Sequence, residues 1–325
     1  MRKVYMNGEL INETEAKLSI YDSALMFGDM VFEMTRSFAG VQFKLEEHID
    51  RLLTGVKILR IPLNMTRTEI LDACYEVIEA NKENFAHDDE HRLMIDVSRG
   101  LLGIYHNIDG LQKGPNVIIA DFPLRWTVAR MSRFFDDGIN MVITSQRAIP
   151  ASLMDPKIKN RSRLFYLMAN IEAAQVKGDN NWALLQGTDG FITEGTGDNF
   201  FIIRNGTVIS PEGRDILRGI SRDFVMHEIC NELKLPCIEK NIDQYDVYTA
   251  DEAFITGTPF CMLPVTSLNG LPIGDGRVGP IFNQMLDFWS AKVGVQIAEQ
   301  IRNWDKQNSN LGDAPTPYQF KNKND

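Results

Sequence analysis

The chain has 325 residues and a mass of 36.9 kDa, with 44% hydrophobic and 24% charged residues, a composition typical of globular proteins. That length predicts two domains of ordinary size, whose cores need neither a disulfide nor a structural metal. The 34 basic and 44 acidic residues give a formal net charge of −10, which argues against binding to nucleic acid or to an anionic membrane.

Targeting and metal signals are also missing from the sequence. It has no run of 18 apolar residues and no apolar N-terminal segment, so we expect neither a transmembrane helix nor a signal peptide. The four cysteines lack the CxxC spacing of zinc and redox sites. We therefore expect reduced thiols, no metal and a cytoplasmic location.

The first 120 residues predict hairpins followed by two amphipathic helices. Asn7-Gly8 is typical of a two-residue turn and separates predicted strands at 4–6 and 9–11. Thr66-Arg67-Thr68-Glu69 is a capping box that predicts the start of a helix. The other predicted elements are apolar runs at 32–38 and 41–45, a helix at 46–60, and strands at 93–97 and 117–120.

A break in the apolar pattern at 123–136 predicts a domain boundary. We place an interdomain linker at 129–136, between a small N-terminal domain at 1–128 and a larger domain at 137–303. Residues 304–325 are rich in Asn, Lys, Asp and Gln, and we predict that they are poorly ordered.

The larger domain is predicted to mix strands and helices without regular βαβ alternation, which favours an α+β fold. Its predicted strands are 139–144, 182–186, 191–193, 200–203, 208–209 and 253–256, and its predicted helices are 162–177, 221–234 and 280–301.

Two segments of this domain suit phosphate binding. Gly219 lets the backbone turn closely, and Ile220 and Ser221 then offer N–H groups at the positive end of a helix dipole. Thr256-Gly257-Thr258, at the end of an apolar strand, could supply a further phosphate contact. Taken alone, each segment is also compatible with an ordinary helix cap or turn.

Two other segments carry a carboxylate and a pair of lysines. Glu194 lies among small residues between two apolar strands, where it could pair with a protonated ring nitrogen. Lys157 and Lys159 precede a predicted helix, and a lysine kept neutral by its surroundings can form a Schiff base. Taken alone, a solvated turn glutamate and a basic loop fit these patterns equally well.

Together, a phosphate-binding helix start, a ring-nitrogen carboxylate and a Schiff-base lysine are what a pyridoxal phosphate enzyme requires of its protein. The order of these motifs resembles the class IV aminotransferases, the fold type IV enzymes that include branched-chain and D-amino-acid aminotransferases and aminodeoxychorismate lyase. The resemblance runs from about residue 5 to about residue 280. The matching segments are Phe27-Gly28-Asp29-x-x-Phe32-Glu33, Glu47-His48-Ile49-Asp50-Arg51-Leu52, Lys159, Glu194-Gly195-Thr196-Gly197-Asp198-Asn199-Phe200-Phe201, Arg218-Gly219-Ile220-Ser221-Arg222 and Thr256-Gly257-Thr258.

The resemblance implies pyridoxal 5′-phosphate as the cofactor and a two-domain, D-amino-acid aminotransferase-like fold, with a small N-terminal α/β domain and a larger C-terminal domain. Lys159, thirteen residues before Glu172-Ala173, would form the Schiff base and move protons, with Lys157 as the alternative. Glu194 would pair with the ring nitrogen. The other implied cofactor contacts are Arg51, Asn199, Leu217, Gly219, Ile220, Ser221, Gly257 and Thr258.

The contact to the cofactor's ring hydroxyl stays open. In many branched-chain members a tyrosine five residues after the lysine makes this contact, but that position here is Leu164, and Tyr166 is the nearest substitute. The resemblance further implies that the smaller domain supplies Arg51, that the larger one supplies Lys159, and that the chain forms a homodimer or a higher homo-oligomer.

For the reaction, the resemblance implies ping-pong transfer of an amino group from a branched-chain or other apolar amino acid to a keto acid, usually 2-oxoglutarate. Arg92 matches a pocket arginine of the branched-chain members, and Phe27 and Phe32 would form an apolar pocket.

Other substrates remain alternatives on the same scaffold. Arg99, in Val97-Ser98-Arg99-Gly100, and His106 resemble the D-amino-acid branch, but the carboxylate-binding arginine of that branch falls at Ile104. Transamination of (R)-amines or D-amino acids therefore stays open. A carbon–carbon lyase similar to aminodeoxychorismate lyase is a further alternative, which the length of the chain disfavours.

Overall fold

The computed structural model describes residues 1–178 and 180–307. The chain divides into two compact units. Unit 1 comprises residues 1–124 and 158–163, and unit 2 comprises the rest of the described chain. No helix in the described part of the chain is long and apolar enough to cross a membrane.

Unit 1 is a five-stranded antiparallel sheet in the order β2-β1-β7-β6-β3, with a separate two-stranded hairpin, β4-β5. Its strands are β1 (Lys3–Met6), β2 (Glu9–Asn12), β3 (Met30–Met34), β4 (Ser37–Phe38), β5 (Val41–Gln42), β6 (His91–Ser98) and β7 (Asn116–Pro123). Its α-helices are α1 (Ser23–Phe27), α2 (Leu45–Ile58) and α3 (Arg67–Asn81), with 3₁₀ turns at Lys82–Asn84 and Gly103–Tyr105.

Local sequence signals predict several of these elements correctly. Asn7 and Gly8 both adopt positive φ in the β1–β2 turn. The predicted capping box is present, because the Thr66 and Glu69 side chains each bond to the other's backbone N–H. The apolar stripes of α2 and α3 pack on one face of the sheet, where Ile49, Val77 and Ile95 are fully buried.

Unit 2 is built on a nine-stranded mixed sheet in the order β10-β9-β8-β15-β14-β11-β12-β13, with β16 paired to β15. Its strands are β8 (Ile139–Arg147), β9 (Asn181–Gln186), β10 (Ile192–Gly195), β11 (Asn199–Arg204), β12 (Thr207–Ser210), β13 (Cys237–Glu239), β14 (Glu252–Gly257), β15 (Cys261–Leu268) and β16 (Leu271–Pro272). Strand β10 also pairs with β11, so the path of the sheet returns on itself at Glu194 and Asn199.

The helices of unit 2 differ widely in length. They are α4 (Arg125–Val128), α5 (Phe134–Asp137), α6 (Leu164–Ala174), α7 (Ile220–Phe224), α8 (Cys230–Glu232), α9 (Gln244–Tyr248), α10 (Pro280–Val293) and α11 (Ile297–Gln307), with a 3₁₀ turn at Ala129–Met131. A π-helical stretch, Val225–Ile229, joins α7 to α8 without interruption. Together with the strands, these helices confirm the predicted mixture of α and β structure.

The division between the units differs from the predicted linker at 129–136. Unit 1 ends at Leu124, and the predicted linker residues form short helical turns that belong to unit 2. The chain also returns to unit 1 at 158–163, so Lys159 belongs to the smaller unit and not to the larger one as expected. The reason is a backbone pairing between this segment and β3, which is a non-local contact.

The C-terminal prediction needs two corrections. The single helix predicted at 280–301 is two helices, because Gly294 adopts a left-handed conformation and caps α10. The predicted disordered tail starts too early, since α11 continues to Gln307 and Trp304 is only 1% exposed. Residues 308–325 lie outside the described part of the chain.

Candidate functional site

A buried carboxylate organises the candidate site residues of unit 2. Glu194, in β10, is only 4% exposed. Its Oε1 accepts a hydrogen bond from the Tyr166 hydroxyl at 2.9 Å. Its Oε2 accepts from Asn199 Nδ2 at 3.0 Å and from the Leu217 backbone N–H at 2.9 Å. These bonds hold the carboxylate in one orientation and suit its ionised, acceptor-only form.

Asn199 links this carboxylate to the start of a helix. It lies directly opposite Glu194 in the β10–β11 pairing, and its amide also donates to the Leu217 carbonyl at 2.9 Å. A Cβ at Gly219 would stand 2.1 Å from Asn199 Oδ1, so a side chain at this position would displace the amide. Glycine at position 219 therefore lets the backbone pass close to Asn199.

The helix that begins at Ile220 has the properties of an anion site. Gly219 is its N-cap, in an extended conformation and without a capping side chain, and Ser221 lies in the first turn. The first N–H groups of a helix have no acceptor within the helix and lie at the positive end of its dipole. This backbone can hold a phosphate group, as the sequence predicts for Ile220 and Ser221.

The end of β14 lies beside the same cluster. Thr256 is paired with Asn199 across the strands and is 1% exposed, and its hydroxyl has no hydrogen-bond partner among the described residues. A Cβ at Gly257 would come within 2.6 Å of the Phe260 ring, so this position also requires glycine. Thr258 follows at once and is partly exposed. Structure thus gathers the predicted unit 2 residues from Glu194 to Thr258 around β10, β11 and β14.

In unit 1, the predicted catalytic lysine lies on a segment that extends the sheet. Phe32 N–H donates to the Lys159 carbonyl at 3.0 Å, and Arg161 N–H donates to the Met30 carbonyl at 2.9 Å. Lys159 Nζ lies 4.8 Å from the centre of the Phe32 ring. The guanidinium carbons of Arg161 and Arg163 lie 3.8 Å and 5.4 Å from the same ring centre. The ring thus gathers three cationic side chains.

Lys157, the alternative lysine, is held by contacts within unit 2. Its Nζ lies 2.7 Å from a carboxylate oxygen of Asp155 and donates to the Arg214 carbonyl at 2.9 Å. A lysine nitrogen held by a carboxylate and a carbonyl is less available to act as a nucleophile. These contacts favour Lys159 over Lys157.

Arg51 belongs to a buried network of charged groups in unit 1. Its guanidinium makes a two-point ion pair with Glu33, with Nε to Oε1 at 2.6 Å and Nη2 to Oε2 at 2.7 Å. His48 Nδ1 lies 2.7 Å from Glu33 Oε2. Burial favours a raised pKa for Glu33, but Arg51 and His48 outweigh it and hold that pKa well below its usual range. Burial lowers the pKa of His48, although Glu33 favours its protonation.

The predicted pocket residues of unit 1 fall into two groups. Phe32 and Met34 lie on one face of β3, and the register places them opposite Asp96 and Met94 of β6. Arg92 precedes Met94 by two residues in β6, so its side chain is on the same face of the sheet. Phe27 ends α1 and is 66% exposed.

Arg99, by contrast, is engaged in structural contacts. Its guanidinium pairs with Asp29 and donates to the Leu59 and Arg60 carbonyls at 2.7 Å and 2.9 Å. These contacts indicate that Arg99 stabilises unit 1, and they give no support to its predicted role in a pocket.

Sequence reasoning missed three participants. The sequence assigns no role to Glu33, although it lies in a matching segment. It places the phosphate contact at Thr258 and not at Thr256, and it links Tyr166 only to the ring hydroxyl. Glu33 lies in an apolar strand, 18 residues before Arg51, and this separation gives no local signal of an ion pair. The apolar flanks of Thr256 did show that its hydroxyl would be buried.

The buried network around Glu33 predicts an effect on stability. Glu33→Gln removes the charge that pairs with Arg51 and His48, so we expect a loss of about 3 kcal/mol in the free energy of unfolding at pH 7. Because the folded-state pKa of Glu33 lies below its unfolded value, its stabilisation is complete above about pH 5 and is lost as the pH falls further. Urea unfolding at pH 7 and pH 4 measures both effects.

The matched control for this prediction is Glu76→Gln, which neutralises an exposed glutamate on α3. We expect its unfolding free energy to stay within about 0.5 kcal/mol of the parent. Equal stability of the two variants at pH 7 would contradict a stabilising role for the Glu33 network.

The chain is similar to known proteins over most of its length. A Methanocaldococcus jannaschii protein, provisionally named a branched-chain-amino-acid aminotransferase, is 34% identical over 302 residues, which cover 92% of this chain and 100% of that protein. The crystal structure of the Escherichia coli branched-chain amino acid aminotransferase matches with a TM-score of 0.80 and 28% identity, over 92% of this chain and 95% of that one. The enzyme from Thermobaculum terrenum in its PLP form matches with a TM-score of 0.78 and 27% identity, over 93% and 97% of the two chains.

A family model, described as amino-transferase class IV, matches residues 30–268 and so covers most of the chain. This range includes the Glu33 network, the Lys159 segment and the Glu194 cluster. The chain therefore belongs to the class IV aminotransferase family and is a transaminase of fold type IV.

Proposed function

We propose that this transaminase moves the amino group of a branched-chain or other apolar amino acid to a keto acid, with pyridoxal phosphate as cofactor and 2-oxoglutarate as the usual acceptor. The observation that carries the proposal is the buried Glu194 carboxylate, held by three donors next to a helix start suited to phosphate. The branched-chain names of similar proteins support the choice of amino donor.

The residues present fit this cofactor. Glu194 offers a fixed acceptor for a protonated ring nitrogen, and Ile220, Ser221 and Thr258 offer donors for a phosphate. The unsatisfied Thr256 hydroxyl beside them is a polar group that a bound ligand or water would satisfy. When bound, pyridoxal phosphate supplies a conjugated ring that withdraws electrons from the substrate's α-carbon.

Lys159 is the proposed catalytic residue of unit 1. Its attachment to the edge of β3 fixes its backbone, and its Nζ lies beside the Phe32 ring. In its neutral form this amine is the general base that takes the α-proton of the amino donor, and the resulting ammonium is the acid that returns it. Because the keto product of the donor would leave before the keto-acid acceptor binds, ping-pong kinetics are expected.

Arg51 is proposed to contact the phosphate group from unit 1. Glu33 holds the Nε and Nη2 edge of its guanidinium, which fixes the direction of the remaining edge. Leu217, Gly219, Asn199 and Gly257 are proposed to shape the cofactor site of unit 2 through the close backbone approaches described above.

The two lysines give a direct test of the catalytic assignment. Lys159→Ala removes the base, so we expect kcat for L-leucine transamination to fall by at least about 10³-fold. Lys157→Ala removes an ammonium that pairs with Asp155, and we expect kcat to stay within about threefold of the parent. The measurement is the initial rate at saturating donor and acceptor. A loss of activity confined to Lys157→Ala would transfer the role to Lys157.

For the substrate, Arg92 and Phe32 combine a charge with an apolar surface. Burial, together with the neighbouring Arg36, lowers the pKa of Arg92 to about 10, so its side chain remains cationic at neutral pH. The guanidinium lies 3.5 Å from the Met34 sulfur through Nη2. A buried cation beside apolar side chains suits a dicarboxylate acceptor and an apolar donor in turn.

A panel of three donors tests the proposed substrate class. We expect kcat/KM for L-leucine to exceed the values for D-alanine and (R)-1-phenylethylamine by about 100-fold or more, with 2-oxoglutarate and pyruvate tried as acceptors. The Lys159→Ala protein is the blank. Preference for (R)-1-phenylethylamine or D-alanine would replace the branched-chain assignment, and pyruvate release from aminodeoxychorismate without transamination would indicate the lyase.

We further propose that the chain forms a homodimer. Several large apolar side chains of unit 1 are exposed in the single chain, which is costly unless a partner covers them. They are Ile20, Leu25, Met26, Phe27 and Ile104. Sedimentation equilibrium should give a mass of about twice 36.9 kDa. A monomer at micromolar concentration would contradict this proposal, while Leu25→Glu should weaken the dimer and the exposed control Glu76→Gln should not.

A further inference from the structure

Tyr166 contacts the carboxylate that is proposed to pair with the cofactor's ring nitrogen. It lies in the first turn of α6, and its hydroxyl donates to Glu194 Oε1 at 2.9 Å. The resemblance to branched-chain members places a tyrosine at position 164 and directs it to the cofactor's ring hydroxyl. Position 164 is here an exposed leucine, and the tyrosine that follows it bonds to the ring-nitrogen carboxylate instead.

The tyrosine ring is firmly anchored within unit 2. Its centre lies 4.1 Å from that of the tilted Phe165 ring, and it packs against an apolar cluster that includes Ala169 and Leu185. The helix itself is tied to β8, because both oxygens of Glu172 accept bonds from Ser145 at 2.7 Å. The Tyr166 hydroxyl is therefore a fixed donor and not a mobile surface group.

A second contact shows that α6 holds the whole segment around Glu194. Asn170 lies one turn after Tyr166 on the same face of the helix, and its Oδ1 accepts from the Thr196 hydroxyl at 2.9 Å. The helix thus contacts the chain on both sides of Gly195. Asn199 and the Leu217 N–H hold the other carboxylate oxygen, so Glu194 is fixed from two directions.

We propose that Tyr166 is a positioning residue that acts on the cofactor's ring nitrogen through Glu194, and that it does not bind the ring hydroxyl. The inference rests on the proposed use of pyridoxal phosphate. The terminal torsion of a glutamate is soft, so an unrestrained carboxylate samples many orientations. Hydrogen bonds to both oxygens remove that freedom before the ligand binds, which strengthens a charged hydrogen bond to a protonated ring nitrogen.

The test compares three non-covalent ligands by calorimetry, so that it does not depend on turnover. They are pyridoxamine 5′-phosphate, its analogue with C–H in place of the ring nitrogen, and its analogue without the ring hydroxyl. Tyr166→Phe keeps the packed ring and removes only the donor. We expect it to weaken pyridoxamine phosphate and the analogue without the hydroxyl by about tenfold, and to leave the analogue without the nitrogen within about twofold.

Two controls make the comparison specific. Tyr245→Phe removes the hydroxyl of an exposed tyrosine on α9 and should change none of the three affinities. Adding Tyr166→Phe to Glu194→Gln should cost less than about twofold for pyridoxamine phosphate, because the tyrosine acts through the carboxylate. Thermal unfolding and circular dichroism establish that each variant is folded.

Every outcome decides the inference. Tyr166→Phe could weaken the binding of the other two ligands and leave the affinity for the analogue without the ring hydroxyl unchanged. That result would show direct contact with the ring hydroxyl and overturn the proposal. Unchanged affinities for all three ligands, or a full tenfold loss in the Glu194→Gln background, would also overturn it. If the parent protein itself binds no pyridoxamine phosphate, the proposed function fails rather than the assignment of Tyr166. If Tyr166→Phe does not fold, replacement of Tyr166 by 4-aminophenylalanine, which keeps the ring and a donor in the position of the hydroxyl, should retain the parent's affinities.

Discussion

The constraint on which unit 2 depends is the burial of one carboxylate. Glu194 lies where β10 meets both β9 and β11, and an ionised carboxylate is tolerated there only because three donors satisfy it. Those donors come from a helix, a strand and a loop. The carboxylate therefore fixes the helix α6, the strand β11 and the loop before Ile220 with respect to one another, and the proposed cofactor site depends on this arrangement.

Unit 1 depends on a comparable network, in which the buried carboxylate is paired with an arginine and a histidine. Glu33 is the anion at the centre, and Arg51 and His48 lie around it. The result is an arginine held by its partner, so the phosphate contact proposed for Arg51 would cost little further conformational entropy. Lys159 obtains its rigidity differently, through backbone hydrogen bonds to the edge of β3.

Local chemistry explains why the sequence predicts some features well. The turn at Asn7-Gly8, the capping box at Thr66 and the glycine-bounded segment around Glu194 are encoded by neighbouring residues, and the structure contains each of them. Non-local pairings have no such signature. The return of 158–163 to unit 1 and the contact of Tyr166 with Glu194 both depend on strands and helices that meet only after folding.

Other errors came from signals that were present but weighed wrongly. Gly294 is a standard helix-ending residue, yet the apolar periodicity on both sides of it predicted one continuous helix. The polar composition after Asn303 predicts a disordered tail, but Trp304 is buried in the last described helix. In each case the backbone conformation or the burial of one residue decides the local structure, and the composition of the neighbouring residues does not.

The central claim is that Lys159 is the amine through which this chain binds pyridoxal phosphate. The most direct measurement is borohydride reduction of the protein after incubation with the cofactor, followed by proteolysis and mass spectrometry of the peptides. We expect a single pyridoxyl mass on the peptide that carries Lys159, located to its Nζ by fragmentation. Label on Lys157, or a protein that takes up no label, would contradict it.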